Sequence, residues 1–406
     1  MNLAKNRTIF SIAILLIIAI IALVAIFWAR GFKPNFRNGT IQRTGLIVAN
    51  SLPTGAQVFI DDRLTSATNT SIAFLEPKTY KVKIEKDGYT TWQKDITVQA
   101  DLATEINALL FPLAPQISPL TTTGATNPTL SPDSAKIIYG VSGVNGGVYI
   151  LPMTDNIFAF RQGTRLIAKN TASFDFSNAQ FNWGPDSKQV IARFKTADGT
   201  VTANLMLDSD VSNQPLRDVT ASLGATISDW QEQINARAQT LAVLAPDEVK
   251  GATEEATQAS PSPVASTQST VNGKNISVNR EPTTDNLINY YPTGLIFSPD
   301  EEKVLYTDKN GKHHVYDLKN KKQYTMPDFT NLINITWFPD SAHLVVAQKD
   351  QISIIESDGN NKMGIYSGKF EYGFAFAHPS GSKLVILTTL TQPEGTPSNL
   401  YAINLK

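Results

Sequence analysis

Few residues of the types that carry enzymatic chemistry occur in this chain of 406 residues, and their spacing keeps them apart. Cysteine is absent, which excludes disulfides, thiolate-held zinc, iron–sulfur clusters and cysteine nucleophiles. Two of the four histidines, His313 and His314, are neighbours in a predicted strand, so they face opposite sides and cannot share a metal ion locally. The other two, His343 and His378, stand far from each other in the sequence.

The acidic candidates fit turns better than active sites. Asp61 and Asp62 could form a carboxylate pair, but neighbours on a strand point apart, which favours a solvated pair beside a turn. The segments 308–311 and 357–360 begin like calcium loops, yet the first lacks the later carboxylate ligands, and both fit hairpin loops. Nucleophile elbows, phosphate-binding glycine loops and zinc-protease motifs are absent. We therefore predict no catalytic residue, no cofactor and no metal site.

The most regular polar signal is a proline–aspartate pair between two short apolar runs. Proline presets φ for a turn, and aspartate can accept hydrogen bonds from the nearby backbone. We therefore interpret the aspartates as turn formers rather than as metal ligands or catalytic groups. The copies are Pro132-Asp133, Pro185-Asp186, Pro299-Asp300, Pro339-Asp340 and a weaker Pro379-Ser380.

The spacing of the pairs predicts a β-propeller over residues 113–406. Successive prolines are 53, 114, 40 and 40 residues apart, and a period near 40 with several short strands per unit is typical of propeller blades. The fold class is therefore mainly β, with five blades, or six if one unrecognised blade lies between residues 208 and 290. After each pair a second strand is predicted at 136–139, 189–192, 303–306, 343–346 and 383–386, and a third at 148–151, 204–207, 314–317, 352–355 and 399–402.

These copies resemble the TolB-like family of β-propeller repeats, whose usual core is Ser-Pro-Asp-Gly. Four copies depart from that core, because Ser134, Ser187, Glu301 and Ser341 stand at the glycine position, and the fifth keeps Gly381. The resemblance implies a propeller with a binding role and identifies no ligand.

The long spacing predicts an insertion in two parts. Ser228 to Gln231 fits a capping box, and apolar residues from Trp230 to Ala245 share one face, so a helix is expected over 228–246, ended by Pro246. Packing against the propeller is the simpler role for this helix, and docking a partner is the alternative. A flexible low-complexity loop is expected over 247–285, because residues 251–270 contain no aromatic and no basic residue.

Residues 44–112 alternate in the manner of a small antiparallel β-sandwich. The clearest strand is Tyr80 to Glu85, with Tyr80, Val82 and Ile84 on one face and charges on the other. The segment from Pro53 through Gly55 predicts a turn, and Asp87-Gly88 predicts a hairpin.

This stretch resembles the PEGA domain, a short β module of bacterial and archaeal surface proteins. The matching segments are 53–56, 58–61 and 86–89. Thr54 replaces the usual glutamate, and Lys78 follows Pro77 where the family usually has glycine. The resemblance implies a non-catalytic spacer or binding module.

A membrane anchor is predicted at residues 9–29, after a short tail over 1–8. These 21 residues carry no charge and would span roughly 32 Å as a helix, about one hydrocarbon core. A buried soluble helix rarely lacks polar residues for five turns. A cleaved signal peptide is the other alternative, but Trp28 to Phe32 make a poor cleavage site. We expect an uncleaved signal anchor that contacts the lipid bilayer through residues 9–29.

Charge is distributed unevenly along the chain. Residues 1–43 carry +6, mostly around a basic linker at 30–43, whereas the remainder holds 29 bases and 36 acids, or −7. That balance makes nucleic acid an unsuitable partner. Local charges flanking the anchor slightly favour a cytoplasmic body, but long domains translocate largely regardless of such charges. The family resemblance favours an extracytoplasmic body.

The sequence thus predicts a single-pass, non-enzymatic scaffold or binding protein of the cell envelope. Its propeller would bind an envelope protein or a glycan. Two alternatives stay open: a hydrolase or lyase with acids and histidines converging on the propeller axis, and a membrane sensor whose body faces the cytoplasm.

Overall fold

The computed structural model describes residues 3–29, 32–35, 40–154, 163–196, 199–247, 249–250, 294–371, 373–390 and 396–406. The chain forms two compact units, Met1–Ala114 and Pro115–Lys406. The loop predicted over 247–285 lies almost wholly outside the described residues.

The first unit begins with a long apolar helix, α1 (Leu3–Ala29). Its segment Phe10–Phe27 is apolar and exposed, and it is long enough to cross a membrane. The same length and composition also suit a signal sequence. The predicted basic linker that follows contains two strands, β1 (Phe32–Asn35) and β2 (Thr40–Arg43). They pair antiparallel, with Phe32 opposite Arg43.

Residues 45–109 form the predicted β-sandwich. One sheet has the strand order β6-β3-β9 and the other β5-β4-β7-β8. Alternating side chains of both sheets, among them Ile47, Val58, Val82 and Trp92, form one buried core. The strands are β3 (Gly45–Leu52), β4 (Gln57–Ile60), β5 (Arg63–Ala67), β6 (Thr70–Leu75), β7 (Thr79–Glu85), β8 (Trp92–Thr97) and β9 (Ala103–Leu109).

The prediction of a purely antiparallel sandwich is wrong at one place. Strands β3 and β9 pair in parallel, with Leu46 opposite Ala103 and Leu52 opposite Leu109. The chain reaches β9 by crossing from β8 in the other sheet, so it enters the first sheet at the end where β3 begins. A hairpin connection would instead have imposed the antiparallel direction.

The described residues of the second unit form five four-stranded antiparallel sheets, which we number as blades 1 to 5. Blade 1 holds β11 (Thr126–Leu130), β12 (Lys136–Val141), β13 (Gly147–Pro152) and β14 (Arg165–Lys169); blade 2 holds β15 (Gln180–Trp183), β16 (Gln189–Lys195), β17 (Val201–Asp208) and β18 (Arg217–Asp218). Blade 3 holds β19 (Ile296–Phe297), β20 (Lys303–Thr307), β21 (His313–Asp317) and β22 (Lys322–Thr325); blade 4 holds β23 (Leu332–Trp337), β24 (His343–Gln348), β25 (Gln351–Glu356) and β26 (Met363–Ser367). Blade 5 holds β27 (Ala375–Ala377), β28 (Lys383–Thr388), β29 (Asn399–Asn404) and β10 (Ile117–Pro119).

Blade 5 closes the ring, because its outer strand β10 comes from the start of the unit and its other three strands from the end. The first strands of neighbouring blades lie nearest the axis, since β11 contacts β15 and β23 contacts β27. Apolar clusters join blade 5 to blade 1, blade 1 to blade 2, and blade 3 to blade 4. The fold class predicted from the sequence is therefore confirmed, with five blades in the described residues.

A helix, α2 (Leu223–Leu244), contacts both blade 2 and blade 3. Leu223 and Trp230 in its first half pack against blade 2, and Leu241 in its second half packs against blade 3. The predicted start at Ser228 is wrong. The helix begins at Leu223, directly after the 3-10 turn Thr220–Ser222, because Leu223 and Ile227 extend the apolar contact with blade 2 by more than a turn. A second 3-10 turn, Phe176–Asn178, leads into blade 2.

Candidate functional site

Each proline–aspartate pair forms the turn, here called a corner, between the first and second strands of a blade. In blade 1 the Ser134 N–H donates to the Ser131 carbonyl at 2.8 Å, which closes the turn. Asp133 Oδ1 accepts hydrogen bonds from the Ser131 hydroxyl at 2.6 Å and from the Ala135 N–H at 3.0 Å. The aspartates of blades 2, 3 and 4 accept equivalent backbone bonds. These carboxylates are thus occupied within their own corners.

The residue after each pair has a left-handed backbone. Its φ is 59° at Ser134, 55° at Ser187, 59° at Glu301, 58° at Ser341 and 62° at Gly381. Glycine adopts this conformation without strain, and other residues do so at a cost. The four residues other than glycine therefore need a compensating contact. Glu301 pairs with Arg237 of α2, and Ser187 and Ser341 form hydrogen bonds to a neighbouring blade.

Serines at this position join neighbouring blades across the boundary between them, here called a seam. The first seam lies between blades 1 and 2, and the second between blades 3 and 4. The Ser187 hydroxyl of blade 2 accepts the Asp133 N–H of blade 1 at 3.1 Å, and the Ser341 hydroxyl of blade 4 accepts the Asp300 N–H of blade 3 at 3.1 Å. A lysine of the preceding blade donates to the carbonyl of the same serine in both seams, and a tryptophan indole of the following blade donates to a carbonyl of the preceding first strand. These groups are Lys136 and Trp183 in the first seam and Lys303 and Trp337 in the second.

Replacing Ser134 by glycine is expected to stabilise the propeller by about 0.5–1 kcal/mol, because it relieves a left-handed serine. The matched variant Ser341→Gly relieves the same conformation but removes the acceptor of the Asp300 N–H, so it should show no such gain. Urea unfolding of both variants measures the difference. An equal gain in both would contradict the role given to the Ser341 hydroxyl.

Blade 4 replaces the seam lysine with a histidine. His343 is 3% exposed, and its Nδ1–H donates to the Asp340 carboxylate of its own corner at 2.7 Å. Burial opposes the charge on Asp340, but hydrogen bonds from the His343 ring and from two backbone N–H groups hold the pKa of Asp340 below its usual range. The aspartate at this corner is thus stabilised in its charged form.

A depressed pKa makes the contribution of Asp340 to stability depend on pH. The contribution is complete above the carboxyl pKa of the unfolded chain, about 4, and is lost as the pH falls through the lower folded value. We expect Asp340→Asn to cost about 1 kcal/mol at pH 7, a modest value because 34% of the side chain is exposed. The cost should shrink in urea unfolding at pH 3. Asp328→Asn, at a side chain 90% exposed, is the control and should show neither effect.

The five strands nearest the axis carry no ionisable side chain in the part of the chain that the structure describes. Phe181 and Trp183 pack towards blade 1, so Gln180 and Asn182 lie on the opposite face of β15. Asn182 Nδ2 is buried without a hydrogen-bond partner. In β23, Asn334 and Thr336 likewise lie opposite the packed side chains of Ile335 and Trp337. Neutral amides and hydroxyls are therefore the polar groups that these strands offer.

Metal-binding geometry is not found among the described residues, where no three His, Asp or Glu side chains come together. His314 is held by the Asp308 carboxylate at 3.2 Å, while Asp308 also accepts the Asn310 and Lys312 N–H groups of a tight loop. A pocket at the outer edge of blade 1, between Leu166 and Gln214, contains no convergent catalytic groups.

The remaining predicted turn residues lie in the sandwich. Leu52-Pro53 is a cis peptide, and Gly55 has a φ of 73°. The Lys86 ammonium donates to the Thr54 carbonyl at 2.6 Å, so the turn between β3 and β4 is tied to the end of β7. Asp61 and Asp62 both have positive φ and pair with Lys78 and Lys81, as suits a turn.

The geometry defines the class of protein first: a β-sandwich module followed by a propeller of five blades and one interposed helix. Residues 44–113 match the PEGA domain family, which confirms the expected resemblance and extends the predicted boundary by one residue. A search of the curated proteins finds none that matches this chain.

Several solved propeller structures are similar to the chain. A putative TolB from Agrobacterium tumefaciens is 13% identical, with a TM-score of 0.23, over 75% of this chain and 76% of that one. TolB from Acinetobacter baumannii is 11% identical, with a TM-score of 0.24, over 81% and 61%. An oligogalacturonate lyase in complex with manganese is 8% identical, with a TM-score of 0.26, over 81% and 86%. The blade assignment rests on the sheet topology rather than on these likenesses.

Proposed function

We propose that this chain is a membrane-anchored, extracytoplasmic, non-enzymatic binding or scaffold protein of the cell envelope. Its propeller would present a surface that binds an envelope protein or a glycan. The supporting features are an exposed apolar helix at the start of the described chain, a PEGA domain at residues 44–113, and a propeller after it.

The observation that carries the binding role is the chemistry of the first strands of the blades. A propeller-centred hydrolase or lyase needs acids or bases near the axis, and within the described residues β11, β15, β19, β23 and β27 contribute none. Asparagine, glutamine and threonine side chains instead suit hydrogen bonding to an uncharged ligand or a peptide backbone.

The binding role is tested with the full chain reconstituted in lipid nanodiscs and used as bait for envelope extracts and cell-wall glycans. The Gln180→Ala and Thr336→Ala variants should weaken capture, whereas Val144→Ala, at a fully exposed position in a blade 1 loop, should not. Turnover of a glycan or small molecule with no stable capture would favour the enzyme instead.

The anchor and its orientation are tested in cells. Removal of residues 1–29 should move the protein from the membrane fraction to the soluble fraction. Protease added to intact spheroplasts should digest the body of the full chain, and protection of the body would favour the sensor that faces the cytoplasm.

A further inference from the structure

The hairpin that follows α1 fixes how far the PEGA domain can stand from the membrane. From Ala29 to Gly45 the chain could reach roughly 55 Å if extended. The antiparallel pairing of β1 with β2 cancels most of that length, because Phe32 lies opposite Arg43. The distance from Ala29 to Gly45 is then limited to about 23 Å. It consists of three residues from Ala29 to Phe32, the width of one strand pair from Phe32 to Arg43, and two residues from Arg43 to Gly45. The linker is therefore a short tether.

The tether attaches at one particular end of the sandwich, here called the tether end. Arg43 Nη1 donates to Asp101 Oδ2 at 2.7 Å, and the Asp101 N–H donates to the Thr44 carbonyl at 3.1 Å. At the same end β6 finishes opposite Gly45, and β9 begins beside Leu46. The tether end thus comprises the segments 43–45, 61–62, 74–78 and 98–103.

Two large apolar side chains are exposed at the tether end. Leu102 is 54% exposed in the loop before β9, and Phe74 is 44% exposed at the end of β6, with a φ of 60° that is unusual for an aromatic residue. They flank β3 on either side, because Leu75 pairs with Gly45 and Ala103 with Leu46. Two exposed apolar side chains at the same end of one sheet suit insertion into a lipid interface.

The tether end has four acidic side chains, three aspartates and Glu76. Three aspartates of the tether end pair with basic side chains: Asp101 with Arg43 at 2.7 Å, Asp61 with Lys78 at 3.1 Å, and Asp62 with Lys81 at 3.2 Å. Repulsion between these carboxylates and anionic lipid headgroups is thereby reduced.

From the tether length, the exposed side chains and the paired charges, we propose that the tether end of the PEGA domain rests on the bilayer surface, with Leu102 and Phe74 inserted among the lipid headgroups. The occupant of this apolar surface is lipid, and the domain contacts the same membrane that holds the anchor. This inference rests on the proposed membrane anchor.

The chain has no cysteine, so single cysteines can be introduced and spin-labelled without further changes. The experiment uses the full chain in vesicles of phosphatidylethanolamine and phosphatidylglycerol, with labels at Leu102→Cys and Phe74→Cys. The matched control is Leu52→Cys, a leucine 47% exposed at the opposite end of β3. Collision of each label with oxygen, which concentrates in lipid, is compared with collision with a water-soluble nickel chelate.

At positions 102 and 74 we expect an oxygen-to-nickel collision ratio severalfold above that at position 52. Equal ratios at all three positions in protein that resists a urea wash would overturn the inference and leave the anchor intact. Suppressed collision with both reagents at position 102 would assign the surface to a protein and also overturn it. Loss of the protein in the wash would overturn the anchor itself. Should Phe74→Cys unfold, Leu102→Cys alone decides.

Discussion

Trp230→Ala is expected to destabilise the propeller by about 3–5 kcal/mol, because a buried tryptophan leaves a cavity where two elements of the ring meet. The side chain is 4% exposed and packs against Ile191 of blade 2. Gly184, in the corner of blade 2, provides space for the ring, since a Cβ there would lie 2.9 Å from Trp230 Cζ2. The blade 2 contact of α2 therefore depends on this residue, and urea unfolding measures the loss.

Val243→Ala is the matched control in the same helix. That side chain is 77% exposed, so its truncation should change the free energy of unfolding by less than about 0.5 kcal/mol. If Trp230→Ala were as mild as the control, α2 would not contribute to holding the ring together.

Gly140→Ala should cost about 3 kcal/mol or more, because the new methyl group would meet backbone rather than a flexible side chain. A Cβ on residue 140 would lie 2.2 Å from the Phe176 carbonyl oxygen and 2.8 Å from its carbon. Phe176 is fully buried between blades 1 and 2 and begins a 3-10 turn, so it has little room to move. Thermal or urea unfolding of the purified variant measures the effect.

Gly224→Ala tests the same substitution where there is space. A Cβ there has no neighbour within 4 Å, and the residue lies in the first turn of α2. Alanine favours the helix, so a gain of up to about 1 kcal/mol is expected. A large loss at position 224, or none at position 140, would contradict the packing described above.

The sequence predicted the strands next to each corner well. All five second strands begin at the residues expected from the pattern, from Lys136 in blade 1 to Lys383 in blade 5. The turn residues reverse the direction of the chain, and the apolar runs beside them are buried on both faces of the sheet. The turn residues and the apolar runs therefore predict the same strand boundaries.

The contacts across the seams were not predicted, although the sequence carries their signal. Blades 1 and 3 share a lysine three residues after the corner aspartate, Lys136 and Lys303. Blades 2 and 4 share a tryptophan two residues before the corner proline, Trp183 and Trp337, and a serine after the aspartate. Blades 1 and 3 therefore supply the lysine of a seam, and blades 2 and 4 supply its tryptophan and serine. Comparing all five copies with a single consensus sequence hides this alternation.

Outer strands and the closing strand could not be predicted from the pattern. Strands β18 and β10 have only two and three residues, and β10 pairs with β29, which lies at the other end of the second unit. Helix α2 was expected from its apolar face, but its place within the ring follows from contacts with two blades. The polar, uncharged character of the strands near the axis was not predicted. In the sequence such a strand resembles any other, and only the arrangement of the blades shows that it lies near the axis.

The closing strand has a mechanical consequence under the proposed membrane anchor. The chain runs from the PEGA domain directly into β10, which pairs with β29 over three residues only. Tension along the chain would therefore reach first a pairing half as long as the six-residue pairing of β28 with β29. The adjoining Thr121 hydroxyl donates to Asn399 Oδ1 at 3.0 Å and accepts the Leu400 N–H at 2.9 Å, so these are two further hydrogen bonds that such tension would have to break.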